Sequence, residues 1–536
     1  MGSGVRARRW LNGIVVATFL AGGVPASMAQ AQTGQVTAFR VAVAESVAEH
    51  DEIATFYRAR NFEPLWTGAG PEHLARREAL LEAIGTARTH GLPAGRYDIP
   101  KLIAGMRAAR SDQARGALDV ELSRVFVQFA HDLESGVLTP GRVLGDIKRE
   151  PVRRHAAELL SALETGAPRA VLRGLAPRTQ EYARLMRAKM ELERALARGG
   201  WGAEVGGGTL SPGDSGERVV ALRNRLIAMG YLERTARATY DDRVGTAVRL
   251  FQADHGLEAD GVAGQSTLDA LNVSAEARLQ SVVVAMERER WLSSAGDMGA
   301  RHIKVNLTEF SARIYDDEKV TFETRAVIGA TSPDRRTPEF SDEMDHMVIN
   351  PSWYVPRSII RNEYLPQLQR NPYAVSHLQI IDSRGRVVNR ARGFGSNFPY
   401  SMRQPPGPNN ALGKVKFMFP NKYNIYLHDT PAKHLFAHDV RAYSHGCIRL
   451  NEPFEFAYTL LAAQEADPEG FFHARLRTGA EARVNLETPV PVHLIYRTAY
   501  TQAKGNVQYR ADIYGRDGRI WAALEDAGVV LGVGES

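Results

Sequence analysis

A single cysteine, Cys447, in 536 residues leaves no partner for an internal disulfide, so this thiol acts alone or across chains. Charge of one sign is also scarce: Lys and Arg number 67 against 61 Asp and Glu, a formal excess of +6. Three of those cations, Arg6, Arg8 and Arg9, lie in a segment expected to be removed, which leaves +3. That field is too weak to argue for a nucleic-acid partner. The apolar run Leu11–Val24 is too short for a membrane span, which needs about 20 residues. With 44% hydrophobic and 24% charged residues, the chain is not disordered, collagenous or a multi-span membrane protein. Its length predicts three or four domains of roughly 150 residues.

What is present begins with an address. The three arginines precede the apolar run, and small residues follow at Ala26, Ser27, Ala29 and Ala31. This order predicts a secretory signal peptide over residues 1–31 and a periplasmic location, the alternative being an uncleaved anchor helix. Residues 40–205 read as helices: Glu52–Arg60, Leu74–Ala87 and Leu122–Leu133 carry apolar residues at three- and four-residue steps. His131 and Asp132 lack a third partner and read as a satisfied surface pair. Gly206–Gly213 reads as a flexible linker by composition.

Residues 211–273 form a compact unit in which Val219, Leu222 and Leu226, then Val244, Val248 and Phe251, then Leu268 and Leu271 line three short helices. Gly213-Asp214-Ser215-Gly216, Gly230-Tyr231, Tyr240-Asp241, Phe251-Gln252, Gly256-Leu257 and Asp260-Gly261 in this stretch resemble the peptidoglycan-binding domain 1 family. The resemblance implies a module for cell-wall glycan, with a purely architectural role as the alternative. A helix over 274–298 is expected to return to the first helical domain. From Arg301 the period becomes two: Ile303, Val305 and Leu307, then Phe310, Ala312 and Ile314, then the return through Val320 to Ile328. This opens a β-rich domain over 300–497. Residues 356–399 break the alternation and read as a helix-containing lid, and residues 498–536 form an extension without an evident chemical role.

The chemistry concentrates between positions 428 and 449. A thiol attacks a carbonyl as its thiolate and needs a base or a positive field nearby. His428, at the end of a predicted strand, is the candidate base. Gly446 allows a tight turn beside Cys447, so neighbouring N–H groups could face a developing oxyanion. Arg449 can grip a carboxylate. The rival readings are a buried structural cysteine and a zinc site built from His428, His434, His438, His445 and Cys447. No acidic partner or His-Glu-x-x-His pattern supports the metal, so neither metal nor cofactor is expected.

His428 with Ser444-His445-Gly446-Cys447-x-Arg449 resembles the signature of the YkuD-type L,D-transpeptidases. Asn350-Pro351-Ser352-Trp353, Asn410-Ala411-Leu412-Gly413 and Phe419-Pro420-Asn421 extend the match. The whole order is similar to the large YcbB-type periplasmic members, and Phe56-Tyr57, Leu65-Trp66 and His90-Gly91-Leu92 fit their scaffold region. The resemblance implies a multidomain α+β protein: helical scaffold, three-helix peptidoglycan-binding module and β-rich catalytic domain. It implies Cys447 as nucleophile and His428 as proton donor and acceptor, its ring oriented by a backbone carbonyl rather than by Asp429. His445 and the Gly446 backbone would support the oxyanion, and Ser444 and Arg449 would order substrate. The implied reaction releases D-alanine from a tetrapeptide stem and forms a 3→3 peptidoglycan cross-link. A hydrolytic L,D-carboxypeptidase, a lipoprotein-attaching or cross-link-cutting variant, and a non-catalytic wall-binding scaffold are the alternatives. The implied partners are peptidoglycan stems and glycan, with cell-wall synthesis proteins beside them.

Overall fold

A computed structural model describes residues 37–532 apart from 295, 297, 503 and 504. The expected signal peptide lies outside the described residues. Helices fill the chain from Ala38–Ser46 to Gln180–Ala197, around a core that includes Phe56, Tyr57, Trp66, Phe126 and Phe129. Asp132 is not a surface residue. Its carboxylate is buried in this region and accepts from the Tyr97 hydroxyl at 2.9 Å and from Arg96 at 2.8 Å, because unpaired burial of a charge is prohibitive.

The small module packs Glu217–Ala228, Asp242–Asp254 and Gln265–Asn272 around Val219, Leu222, Leu226, Val248, Phe251 and Leu271. The glycine-rich stretch before it is no free linker. Leu210 is buried and exchanges backbone hydrogen bonds with Ala263 at 3.1 and 2.9 Å, so one apolar residue overrides the local composition. The helix Ala275–Ser293 then packs against Gln180–Ala197, sharing a core with Ile520, Trp521 and Leu524 of the C-terminal segment.

Among the described residues fourteen strands follow in chain order. They are β1 (Arg301–Asn306), β2 (Ser311–Asp316), β3 (Lys319–Gly329), β4 (Phe340–Ile349), β5 (Trp353–Tyr354), β6 (Gln379–Ile381), β7 (Ser401–Gln404), β8 (Val415–Met418), β9 (Leu427–His428), β10 (Ala442–Ser444), β11 (Ile448–Leu450), β12 (Ala482–Ile495), β13 (Ala499–Tyr500) and β14 (Gln508–Tyr509). Nine of them form one sheet in the order β10-β3-β11-β9-β8-β4-β12-β1-β2, and a β2–β3 pairing closes it into a barrel with β10 appended. Alternation explains the core: Ile303, Val305, Ala326, Ile328, Phe417, Leu427, Ile448 and Leu450 face one apolar cluster with the helix Pro453–Leu461. The stretch read as a lid holds more than helix. Strands β5, β7 and β6 make a small sheet, and Val355, Ile360, Leu368, Ile380, Phe398 and Met402 give it a separate core.

Candidate active site

Two strand pairings assemble the site. Lys416 on β8 stands opposite His428 on β9, and His428 stands beside Arg449 on β11. One residue earlier in register, Phe417, Leu427 and Ile448 point into the barrel core. Side chains alternate along a strand, so Lys416, His428 and Arg449 share the opposite face. Just before those strands, the Tyr426 hydroxyl and the Cys447 thiol meet, and the thiol feels the charges of Arg449 and Lys416.

His428 is buried, and its Nδ1–H donates to the Asp429 carbonyl, which fixes the tautomer and leaves Nε2 as acceptor. Burial, and then the Arg449 charge, push its imidazole down to about 3. The expected backbone carbonyl is therefore that of the next residue. The Asp429 carboxylate turns away: it accepts the Lys414 N–H at 2.8 Å and pairs with Lys433 at 2.9 Å.

The half-buried Cys447 thiol donates to the Asn424 carbonyl at 3.5 Å. Burial pushes the thiol up to about 11, although the Tyr426 backbone and hydroxyl, Arg449 and Lys416 all pull the other way. At rest the thiol and the imidazole are therefore both neutral. Arg449 Nε has no hydrogen-bond partner among the described residues, and burial lowers its guanidinium's pKa. A guanidinium with an open N–H close to the thiol suits a carboxylate ligand.

Ser444, Gly446 and His445 make contacts of their own around the turn. Ser444 is buried; its hydroxyl donates to the Cys447 carbonyl and accepts the Gly446 N–H at 3.1 Å. Closing that turn leaves Ser444 nothing to offer a substrate. It also occupies the Gly446 N–H. Among the described residues the Cys447 N–H has no partner, so it is the backbone donor available. Gly446 itself has φ +113°, a conformation side chains resist, and a Cβ there would meet Ile425 Cδ1 at 3.1 Å. His445 reaches away from the turn, its Nε2 meeting Glu363 at 2.6 Å. The same carboxylate takes Arg335 at 2.7 Å.

Sequence reasoning missed Lys416, Tyr426, Asn424 and Glu363. Tyr426 was within reach, because it stands two residues before His428 in the chain. The Asn421 side chain braces the loop before it, accepting the Tyr423 N–H at 3.0 Å and donating to the Ile425 carbonyl at 2.8 Å. Among the described residues no group of three or more His, Cys, Asp or Glu side chains is placed to hold a metal ion, so His434 and His438 join no such cluster.

Residues 300–492 match the family described as "L,D-transpeptidase catalytic domain", residues 51–188 match "Scaffold domain", and residues 215–271 match "Putative peptidoglycan binding domain". A "Putative L,D-transpeptidase" of Haemophilus influenzae is 35% identical over 228 residues, which span 41% of this chain and 45% of that relative. The match thus spans less than half the relative's length. A solved L,D-transpeptidase from Xylanimonas cellulosilytica is 14% identical, covers 54% of this chain and 98% of its own, and has a TM-score of 0.16. Another from Stackebrandtia nassauensis is 14% identical, covers 55% and 97%, and has a TM-score of 0.21. Likeness at that level bears on nothing further. Residues 300–492 belong to the L,D-transpeptidase catalytic domain family, a family of cysteine-dependent transferases, joined here in one chain to scaffold and peptidoglycan-binding domains.

Proposed function

We propose that this chain is an exported L,D-transpeptidase that forms 3→3 cross-links in peptidoglycan, working in the periplasm after loss of residues 1–31. Cys447 adds to the carbonyl between the third and fourth residues of a tetrapeptide stem, passing its proton to His428 Nε2. Collapse of the adduct breaks the C–N bond, and D-alanine leaves with that proton. An amine of a neighbouring stem then resolves the thioester. Arg449 grips a stem carboxylate, the Cys447 N–H receives the oxyanion, and Lys416 and Tyr426 lower the cost of charge on sulfur. His445 serves as the link to the lid unit rather than as an oxyanion donor.

The observation that carries this reading is the single row of Lys416, His428 and Arg449, with the Cys447 thiol within reach of the Tyr426 hydroxyl and of the Arg449 and Lys416 charges. A catalytically dead wall-binding scaffold would have no reason to keep a tautomer-fixed imidazole beside an isolated thiol. The deciding measurement is the muropeptide profile of sacculi treated with the full chain and with C447A. We expect 3→3 dimers and free D-alanine from the first only, with sacculus binding equal in both. Tripeptides without dimers would instead identify the hydrolytic variant of the same chemistry.

A further inference from the structure

Thr337 lies between β3 and β4, remote from Cys447 in sequence, and is fully buried. Its hydroxyl donates to the Gly446 carbonyl at 2.7 Å and accepts the Gly329 N–H at 2.9 Å. A trans peptide sets its C=O and N–H on opposite sides. Pinning the Gly446 carbonyl therefore sets the direction of the Cys447 N–H, the donor left open in the turn. The approach is close: a Cβ on Gly329 would sit 2.1 Å from the Arg335 carbonyl oxygen and 2.6 Å from the Thr337 nitrogen. Glycine is the residue that permits it.

Behind Thr337 stands the C-terminal segment. The Tyr514 hydroxyl donates to the Gly329 carbonyl at 2.6 Å. Arg516, fully buried, donates to the Thr337 carbonyl at 2.8 Å and to Glu339 at 3.0 Å. Glu339 also accepts from Arg288 of the returning helix at 2.6 Å. None of these groups bonds to the sulfur, yet together they fix both faces of the strand end against which the nucleophile turn is hung.

We propose that Thr337, seated by Tyr514 and Arg516, is a positioning residue for acyl transfer that aims the Cys447 N–H at the oxygen becoming negative in the tetrahedral adduct. The inference rests on the reading of Cys447 as nucleophile and is independent of the natural substrate. It gives residues 512–517, which carried no evident role in the sequence, a part at the reaction centre.

Two electrophiles separate this role from general support of the fold. Acylation by a carbapenem forms S–C, breaks the lactam C–N, carries the thiol proton through His428 to that nitrogen, and passes through an oxyanion. Alkylation by iodoacetamide forms S–C, expels iodide, releases the thiol proton to solvent, and develops no oxyanion. Both are followed on the full chain by intact mass, with thermal melts alongside, for wild type, T337V, T337S and Y514F. We expect T337V to acylate at least about tenfold more slowly while its alkylation stays within about twofold. T337S should restore the rate, and Y514F should show the same pattern more weakly. Unchanged acylation in T337V, or a parallel fall of both reactions, would overturn the proposal. Should T337V melt too low to assay, Y514F against wild type decides by the same comparison. A wild-type chain that alkylates but never acylates would instead overturn the reading of Cys447 as an acyl carrier, and this inference with it.

Discussion

One physical cause, removal from water, moves the two central groups in opposite directions: Cys447 up to about 11 and His428 down to about 3. Each shift disfavours the charged form, so no thiolate–imidazolium pair is stored at rest, and the proton moves as the carbonyl is attacked. The thiol's hydrogen bond to the Asn424 carbonyl favours the protonated form as well. Alkylation by iodoacetamide, which needs the thiolate, should therefore rise about tenfold per pH unit from 7 to 10, and a plateau near neutral pH would contradict this account. Lys416 lowers the Cys447 pKa from across the strands. In K416M the same rate at pH 8 should drop roughly three- to tenfold, by about the Coulomb energy of one partly buried charge, which stopped-flow labelling reads directly. Cys447, His428 and Arg449 stand out in the sequence because they fall in one short stretch. Lys416 does not, because nothing in the letters reveals which residue a register sets opposite His428. The hydrogen bonds of Ser444 and Gly446 within the turn were not legible for a related reason: motif membership does not tell a turn-closing hydrogen bond from an open donor.

At the scale of elements, the barrel strands declared themselves through alternation, as with Ile303 and Val305 or Ala326 and Ile328. The lid unit did not, because strands as short as β5 and β6 display too few residues to show a period. Its separate core makes it one piece, joined to the site through the Glu363 carboxylate on His445 and Arg335. Under the proposed function, a piece so held would restrict water around a thioester on Cys447 and give an amine acceptor time to arrive. In E363A, and in chains with the exposed 383–397 end trimmed, hydrolysed product should rise several-fold relative to cross-linked product in an assay offering both acceptors. An unchanged ratio would show that the unit does not control water.

At the scale of the molecule, the C-terminal segment fastens three parts. It shares a core with the returning helix, supports Thr337, and holds the small module through Gln508 on the Asp254 carboxylate at 2.6 Å and Arg510 on the Asp254 carbonyl at 3.0 Å. At that junction His255 stacks on Phe251 and Tyr509, donates to the Phe251 carbonyl, and faces Arg278 and Arg510, with Tyr231 against its ring. Burial, and then Arg278, push His255 down to about 3. A folded value below the unfolded one means the opened state takes the proton first. The seat is then complete above about pH 6.5 and weakens as pH falls toward 3. Hydrogen-exchange protection over residues 240–255, corrected for the intrinsic rate at each pH, should fall at pH 5 relative to pH 7.5 in wild type and change less in H255Q. An equal fall in both would assign the effect elsewhere.

The same segment has a consequence for when the enzyme can first act. A polypeptide is made and exported from its amino end, and early portions fold before later ones emerge. Barrel strands β1 to β12 are all in hand before Tyr514 and Arg516 appear, yet the nucleophile turn leans on both. On the proposed role of Thr337, reactivity of the thiol would thus switch on only after residues 512–517 have emerged, and a product cut short before them would be a folded barrel with a poorly aimed Cys447.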